Sequence, residues 1–113
     1  MKPYSLTHLA DHTLLQALAS LVTQDHVTTA ALLAHLAEVD ERKLYLPAAY
    51  PSMFAYCVQG LRMSEDMASK RIQAGRAARR FPAIFPMVAD GRLHLTAVVL
   101  LAPHLETENV DEL

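Results

Sequence analysis

The stretch that decides the reading of this chain is Ser64-Glu65-Asp66-Met67-Ala68-Ser69-Lys70-Arg71-Ile72-Gln73-Ala74-Gly75-Arg76-Ala77-Ala78-Arg79-Arg80. Ala68, Ile72, Gly75 and Ala78 fall on or near one face of a helix, while Ser69, Gln73, Arg76 and Arg80 follow an i, i+4, i+7, i+11 stripe on another. Lys70 flanks that stripe. Ser64 stands where an N-cap is wanted, since its hydroxyl can accept an otherwise orphan amide, and Glu65 and Asp66 place negative charge at the positive end of the helix dipole. The spacing predicts a helix from Glu65 to about Arg80, with small residues on the face that packs and polar residues on the face that does not.

Upstream, Ser52 to Leu61 reads as a short apolar helix carrying Met53, Phe54, Tyr56, Cys57 and Val58. Cys57, Leu61, Met63, Ala68 and Ile72 stand at the apolar spacings of a helix-turn-helix, which places that motif at residues 52–80. Arg62 occupies the place where a glycine commonly turns such a motif, and Gly60 lies two residues earlier. Pro47 and Pro51 bracket Leu46 to Tyr50 as a turn. Tyr45, Tyr50, Phe54 and Tyr56 cluster around it and are expected to form a small core beneath it. Two further helices are expected ahead of the turn. One, about Thr7 to Gln24, carries Leu14, Leu15, Leu18, Leu21 and Val22 at helical spacing. The other, about Thr28 to Leu44, has Leu32, Leu33, Leu36 and Val39 on one face and Glu38, Asp40, Glu41, Arg42 and Lys43 crowding its end. Downstream, Pro82 and Pro86 allow a short helix around Ala83 to Ala89, stopped at Asp90-Gly91. His94 to Ala102 reads as a buried helix, and Thr107 to Leu113 as the start of another.

The expected class is therefore all-α: one compact multi-helix domain over residues 1–113, containing a helix-turn-helix. With 113 residues and 52% hydrophobic content the chain can bury one real core but not two. Only three glycines interrupt it. A single cysteine excludes an internal disulfide framework and suits a reducing compartment, with the cytoplasm as the expected location. No secretory signal is readable at the N-terminus, and no apolar run approaches a membrane span.

A net charge of −2 argues against nucleic acid, but its distribution reverses that impression. Residues 62–92 hold seven of the ten Lys and Arg against three acids, a balance of +4 that leaves −6 for the rest. Double-stranded DNA is the expected partner. Ser69, Lys70, Gln73 and Arg76 would meet base edges or phosphates, and Arg71, Arg79, Arg80 and Arg92 would grip the backbone. Homodimerisation is also expected, because helix-turn-helix proteins often read paired half-sites and the first two helices offer a surface. Two other readings stand beside this one. Arg76, Arg79 and Arg80 could be a solvated face paired with the acidic end of the second helix, or the chain could be a protein-interaction or dimerisation module with no nucleic acid involved.

Leu33-Ala34-His35-Leu36-Ala37-Glu38-Val39-Asp40, Tyr50-Pro51-Ser52-Met53-Phe54-Ala55-Tyr56-Cys57, Met63-Ser64-Glu65-Asp66, Ala77-Ala78-Arg79-Arg80-Phe81-Pro82 and Leu100-Leu101-Ala102-Pro103-His104-Leu105 resemble the N-terminal helical region of bacterial, myxobacterial-type HNH-endonuclease-like proteins. The resemblance runs over nearly the whole chain. Ser64 to Ile72 followed by Asp90-Gly91-Arg92-Leu93 is also similar to the helix-turn-helix and following turn of plasmid-partition DNA-binding proteins. These resemblances imply a transcription regulator, or a helical module that brings a nuclease to DNA. The chain carries no His-Asn-His metal segment, and its only Asn is Asn109.

The other chemistry-bearing residues point away from catalysis. His8 and His12 are four apart, but no Glu completes a zinc pattern and both are expected to face water. His35 reads as helix surface or partial core, and His94 and His104 as core-edge residues. Cys57 lies in an apolar helix, where a buried, inert thiol is the usual outcome. No base and oxyanion arrangement accompanies it, and the glycines form no phosphate loop. No enzyme activity, cofactor or metal is expected.

Overall fold

Lys43, Ala49 and Arg62 all adopt left-handed backbone geometry, with φ of 53°, 70° and 60°, and these three turns separate the first three helices of the fold. The computed structural model describes residues 4–105. Its elements are α1 (Asp11–Arg42), α2 (Met53–Ala55) running on into a π-helical turn (Tyr56–Gly60), α3 (Glu65–Arg80), α4 (Ile84–Ala89), α5 (Leu95–Leu101) and a closing 3-10 turn (Ala102–His104). No strand occurs among the described residues, and the helices pack on one another as an all-α domain.

The two expected N-terminal helices are one. α1 runs unbroken for 32 residues. The residues between the two expected helices, Asp25-His26-Val27, and their neighbours Thr23, Gln24, Thr28 and Thr29 include neither Gly nor Pro. The β-branched and short polar residues among them each cost only a few tenths of a kcal/mol in a helix, roughly 0.7 at most, so nothing there stops propagation. The stop comes at Lys43. Its left-handed backbone lets its N–H donate to Asp40 O and lets Leu44 N–H donate to Val39 O at 3.1 Å, which satisfies two of the last carbonyls.

The remaining elements follow the sequence closely. Ser52 caps α2 by accepting from Ala55 N–H at 3.0 Å, and Ser64 caps α3 by accepting from Met67 N–H at 3.2 Å. His94 stands at the N-cap of α5 with Nδ1 accepting from Ala97 N–H at 3.4 Å. Gly91 turns the chain at φ 84°, and a Cβ there would lie 2.8 Å from His26 Nδ1, so both backbone and space require glycine. α5 is less buried than expected, since Val98 is fully enclosed while Leu100 is largely exposed. The expected helix from Thr107 lies outside the described residues.

α3 is the hub. It packs on the second half of α1, on α5, and on α2 and α4. Ala68, Ala74, Ala77 and Ala78 are buried there, and Gly75 approaches α1 so closely that an added Cβ would sit 3.4 Å from Leu33 O. One core cluster is built around Leu33, Ile84 and Val98, the other around Leu36, Met53, Cys57 and Ile72. Both lie against α1 from Ala30 onward, so the first half of that helix extends past the head as an arm. The radius of gyration is 16.9 Å, against roughly 13 Å for an isometric domain of about 100 residues.

Candidate functional site

Two surfaces carry the chemistry of this fold: the outer stripe of α3 and the arm of α1. The stripe is formed as the periodicity requires. Gln73, Arg76 and Arg80 are exposed, Ser69 is half-buried, and Gln73 Nε2 donates to Ser69 Oγ at 2.9 Å. The stripe runs between two open recesses. One, of about 340 Å3, is bounded by Ser52, Phe54 and Ile72, and the other, of about 270 Å3, by Ala77, Ala102 and Pro103.

The cations on and around this stripe already have partners within the chain. Arg76 makes a two-pronged contact with Asp40, Nε to Oδ2 at 2.7 Å and Nη2 to Oδ1 at 3.2 Å. Arg79 reaches Glu38 at 3.2 Å and Glu41 at 3.6 Å, and Glu38 also accepts from Arg42 at 2.8 Å. Lys70 pairs with Asp66 at 3.1 Å and Arg92 with Asp90 at 2.7 Å. Arg80 lies over the ring of Phe81, 5.1 Å from its centroid. Arg71 is half-buried on the opposite flank, beside a recess of about 290 Å3 that it shares with Asp25, His26 and His94, and its Nε is enclosed without a hydrogen-bond partner.

The charge segregation visible along the sequence is therefore not kept in space. α1 ends beside α3, and its acids meet the arginines in two sets: Arg42, Glu38, Arg79 and Glu41 form a four-charge chain, and Asp40 pairs separately with Arg76. Glu38 is held below the ordinary carboxylate range chiefly by its hydrogen bonds from Arg42 and Arg79. Arg76 is pushed further up by its bond to Asp40. Of the eight residues expected to contact DNA, Ser69, Gln73, Arg76 and Arg80 come together on one face. Lys70 is half-buried and held by Asp66, Arg79 turns to the acidic end of α1, and Arg71 and Arg92 lie elsewhere.

The sequence reading missed the state of the arm. Leu14 (39% exposed), Leu15 (65%), Leu18 (57%), Leu21 (63%) and Val22 (46%) were expected on the packing face of an amphipathic helix, yet no element of the head reaches them. Residues 12–24 contain no Asp, Glu, Lys or Arg. That absence is the signal that distinguishes this segment from a solvated surface helix.

The remaining candidates behave as structural residues. His8, His12 and His35 are exposed, with His35 Nδ1 lying 2.6 Å from Ala31 O. Cys57 is fully buried and burial pushes its thiol up, against nucleophilic use. Tyr50 and Tyr56 pack edge-to-face at 5.4 Å beneath the turn, whereas Phe54 is exposed. Among the described residues no group of three His, Cys, Asp or Glu is placed to hold a metal ion, and no helix is long and apolar enough to cross a membrane. No known family model matches the chain, and no curated protein or solved structure is significantly similar to it.

Proposed function

We propose that this chain is a helical association module that pairs its arm, the first half of α1, with another helix. The observation that carries the reading is the uncharged apolar stripe Leu14, Leu15, Leu18, Leu21 and Val22, left bare on a helix that continues into the core of the head. These five side chains expose on the order of 500 Å2, within the roughly 300–600 Å2 of the largest apolar patch on a free monomer, and such patches are often interaction sites. The reading assigns no catalytic step to the chain. The single buried thiol suits the cytoplasm.

The test is in-cell photo-crosslinking from single positions of the arm. Adducts are expected from Leu15, Leu18 and Leu21 and not from Gln16 and Ser20 on the polar back. Equal labelling of both faces, or none, refutes the reading.

A second reading is duplex DNA binding, as a transcription regulator or as the targeting module of an HNH nuclease. It is favoured by the open stripe Ser69, Gln73, Arg76 and Arg80 and by the resemblance to regions that precede such nucleases. It requires phosphates to displace Asp40 and Glu38 from the arginines. Retention on DNA at about 50 mM salt, lost in Arg76→Ala with Arg80→Ala, would support it, because even non-specific binding shows at that ionic strength.

A further inference from the structure

We infer that the arm's partner is a second copy of this chain, laid antiparallel with Leu18 on the two-fold axis; the inference rests on the association reading above. Residues 11–25 read Asp-His-Thr-Leu-Leu-Gln-Ala-Leu-Ala-Ser-Leu-Val-Thr-Gln-Asp. Outward from Leu18 the residue types repeat in both directions at six of seven levels: Ala17 with Ala19, Gln16 with Ser20, Leu15 with Leu21, Leu14 with Val22, Thr13 with Thr23 and Asp11 with Asp25, the exception being His12 with Gln24, both polar and about 120° off the stripe. An isologous contact must be self-complementary under a two-fold axis. In an antiparallel helix pair that requirement is a sequence that reads alike from its centre toward both ends.

The angular placement agrees. At about 100° per residue, Leu14, Leu15, Leu21 and Val22 fall within roughly 60° of Leu18, two on each side. Each copy then presents leucine to leucine or valine at every level, alanines flank the seam, and uncharged polar residues cover its back.

The head fixes the orientation. Leu33 and Leu36, buried under α3 and its neighbours, lie on the same side of α1 as the stripe. A parallel partner helix would continue past residue 25 into the volume that the head occupies. An antiparallel partner begins its helix at Asp11, opposite Asp25, where the head begins. The overlap of 15 residues is about 22 Å long. The segment ahead of the partner's helix, with exposed Tyr4 and Leu6, then arrives beside the recess that Asp25, His26 and Thr29 help to line.

The two stripes together offer roughly 1,000 Å2, at the low end of specific interfaces, where weak and transient contacts lie. Asp11 of each copy faces Asp25 of the other, so each end of the seam holds two like charges.

The experiment combines sedimentation equilibrium with disulfide trapping in the full chain, whose own Cys57 is buried. Leu18→Cys should trap as a covalent dimer. Leu14→Cys alone should not, because it faces the level of Val22, but Leu14→Cys mixed with Val22→Cys should. Asp25→Lys should tighten the dimer about tenfold by turning two repulsions into two attractions. A self-trapped Leu14→Cys dimer, or no tightening by Asp25→Lys, overturns the antiparallel register and leaves the association reading standing. A monomer at about 0.2 mM, a concentration at which even a weak specific pair of about 0.1 mM dissociation constant is largely associated, overturns the second copy as partner. Arm adducts in cells would then belong to a different chain, and their absence would remove both readings.

Discussion

The contact between Asp40 and Arg76 offers the most direct measure of how far α3 is committed to α1 rather than to an outside ligand. The Asp40 side chain is 17% exposed and that of Arg76 60%, so one partner is largely desolvated and the other is not. A hydrogen bond to a charged group contributes about 1.5–3 kcal/mol when well enclosed, whereas exposed pairs contribute about 0–1. The half-open, two-pronged geometry lies between these limits, and we expect a coupling energy of about 1 kcal/mol. Asp40→Asn should lose slightly less than that, because removing an anion from the last turn of α1 relieves an unfavourable dipole contact of a few tenths of a kcal/mol, roughly 0.3. Arg76→Ala should lose more, about 1.5 kcal/mol, because it leaves a mostly covered carboxylate without its partner. The assay is urea unfolding followed by circular dichroism on wild type, both single variants and the double variant, at about 50 mM and about 0.5 M salt, where screening should reduce the coupling by roughly half. A coupling within about 0.3 kcal/mol of zero at low salt, inside the ordinary error of additivity, refutes the reasoning. Arg76 would then be an uncommitted cation, and the case against the DNA reading would weaken with it.

Gly75→Ala should stabilise the chain by about 0.5–1 kcal/mol in thermal unfolding, since it gains helix propensity and its new Cβ meets Leu33 O at 3.4 Å and Ala37 Cβ at 3.7 Å without displacing either; a loss instead would mean that α1 and α3 lie closer than described. Ala49→Gly, at φ 70°, should gain about 1 kcal/mol by removing left-handed strain, and an unchanged midpoint would count against that turn. Leu33→Ala, fully enclosed between α1 and the rest of the head, should cost about 2–5 kcal/mol in chemical denaturation. Glu38→Gln should lower stability at neutral pH and have no effect in strong acid. The folded-state pKa of Glu38 lies below the ordinary value of 4.5 because of Arg42 and Arg79, so its contribution is present above the unfolded value and lost as pH falls through the folded one. A pH-independent difference between the two proteins would remove that ion pair from the account.

How much of this was legible in the sequence depended on whether the signal was local. The caps Ser52 and Ser64, the extent of α3 and the stop at Asp90-Gly91 are decided by groups within a turn or two, and they stand where the sequence places them. The continuity of α1 is not decided by the two apolar periodicities, which end and restart around Asp25-His26-Val27, because a helix needs only that nothing there forbid it. For the arginines the sequence leaves two courses open, and pairing with the acidic end of the preceding helix is the one that Arg76 and Arg79 take while Arg80 lies on Phe81; what decides it is α1 ending beside α3, a long-range contact that no spacing within residues 62–92 encodes. The balance of +4 there is partly offset by acids some forty positions upstream, which take up Arg76 and Arg79. The bareness of the arm was hidden for the opposite reason. Periodicity says that a face is apolar and says nothing about whether any apolar surface of the same chain is left to cover it.

The arm also bears on how helix formation and association are connected. A free helix of about 14 residues is marginal in water, because the first turn fixes several dihedrals for one hydrogen bond. Here the head supplies the nucleus: residues 30–37 are pinned by the core, and the arm needs only to propagate from them toward Asp11. Propagation through residues 12–24 gains little on its own, since that segment holds three β-branched residues and no i,i+4 ion pairs to support it. The helix of the arm should therefore fray from its N-terminal end when it stands alone and become firm when its leucines are covered. In that case amide exchange over residues 13–22 should slow as protein concentration rises, while exchange in α3 stays constant. Protection of the arm that does not change with concentration would mean that the helix is stable without a partner, and that its exposed leucines are held in place by the head alone.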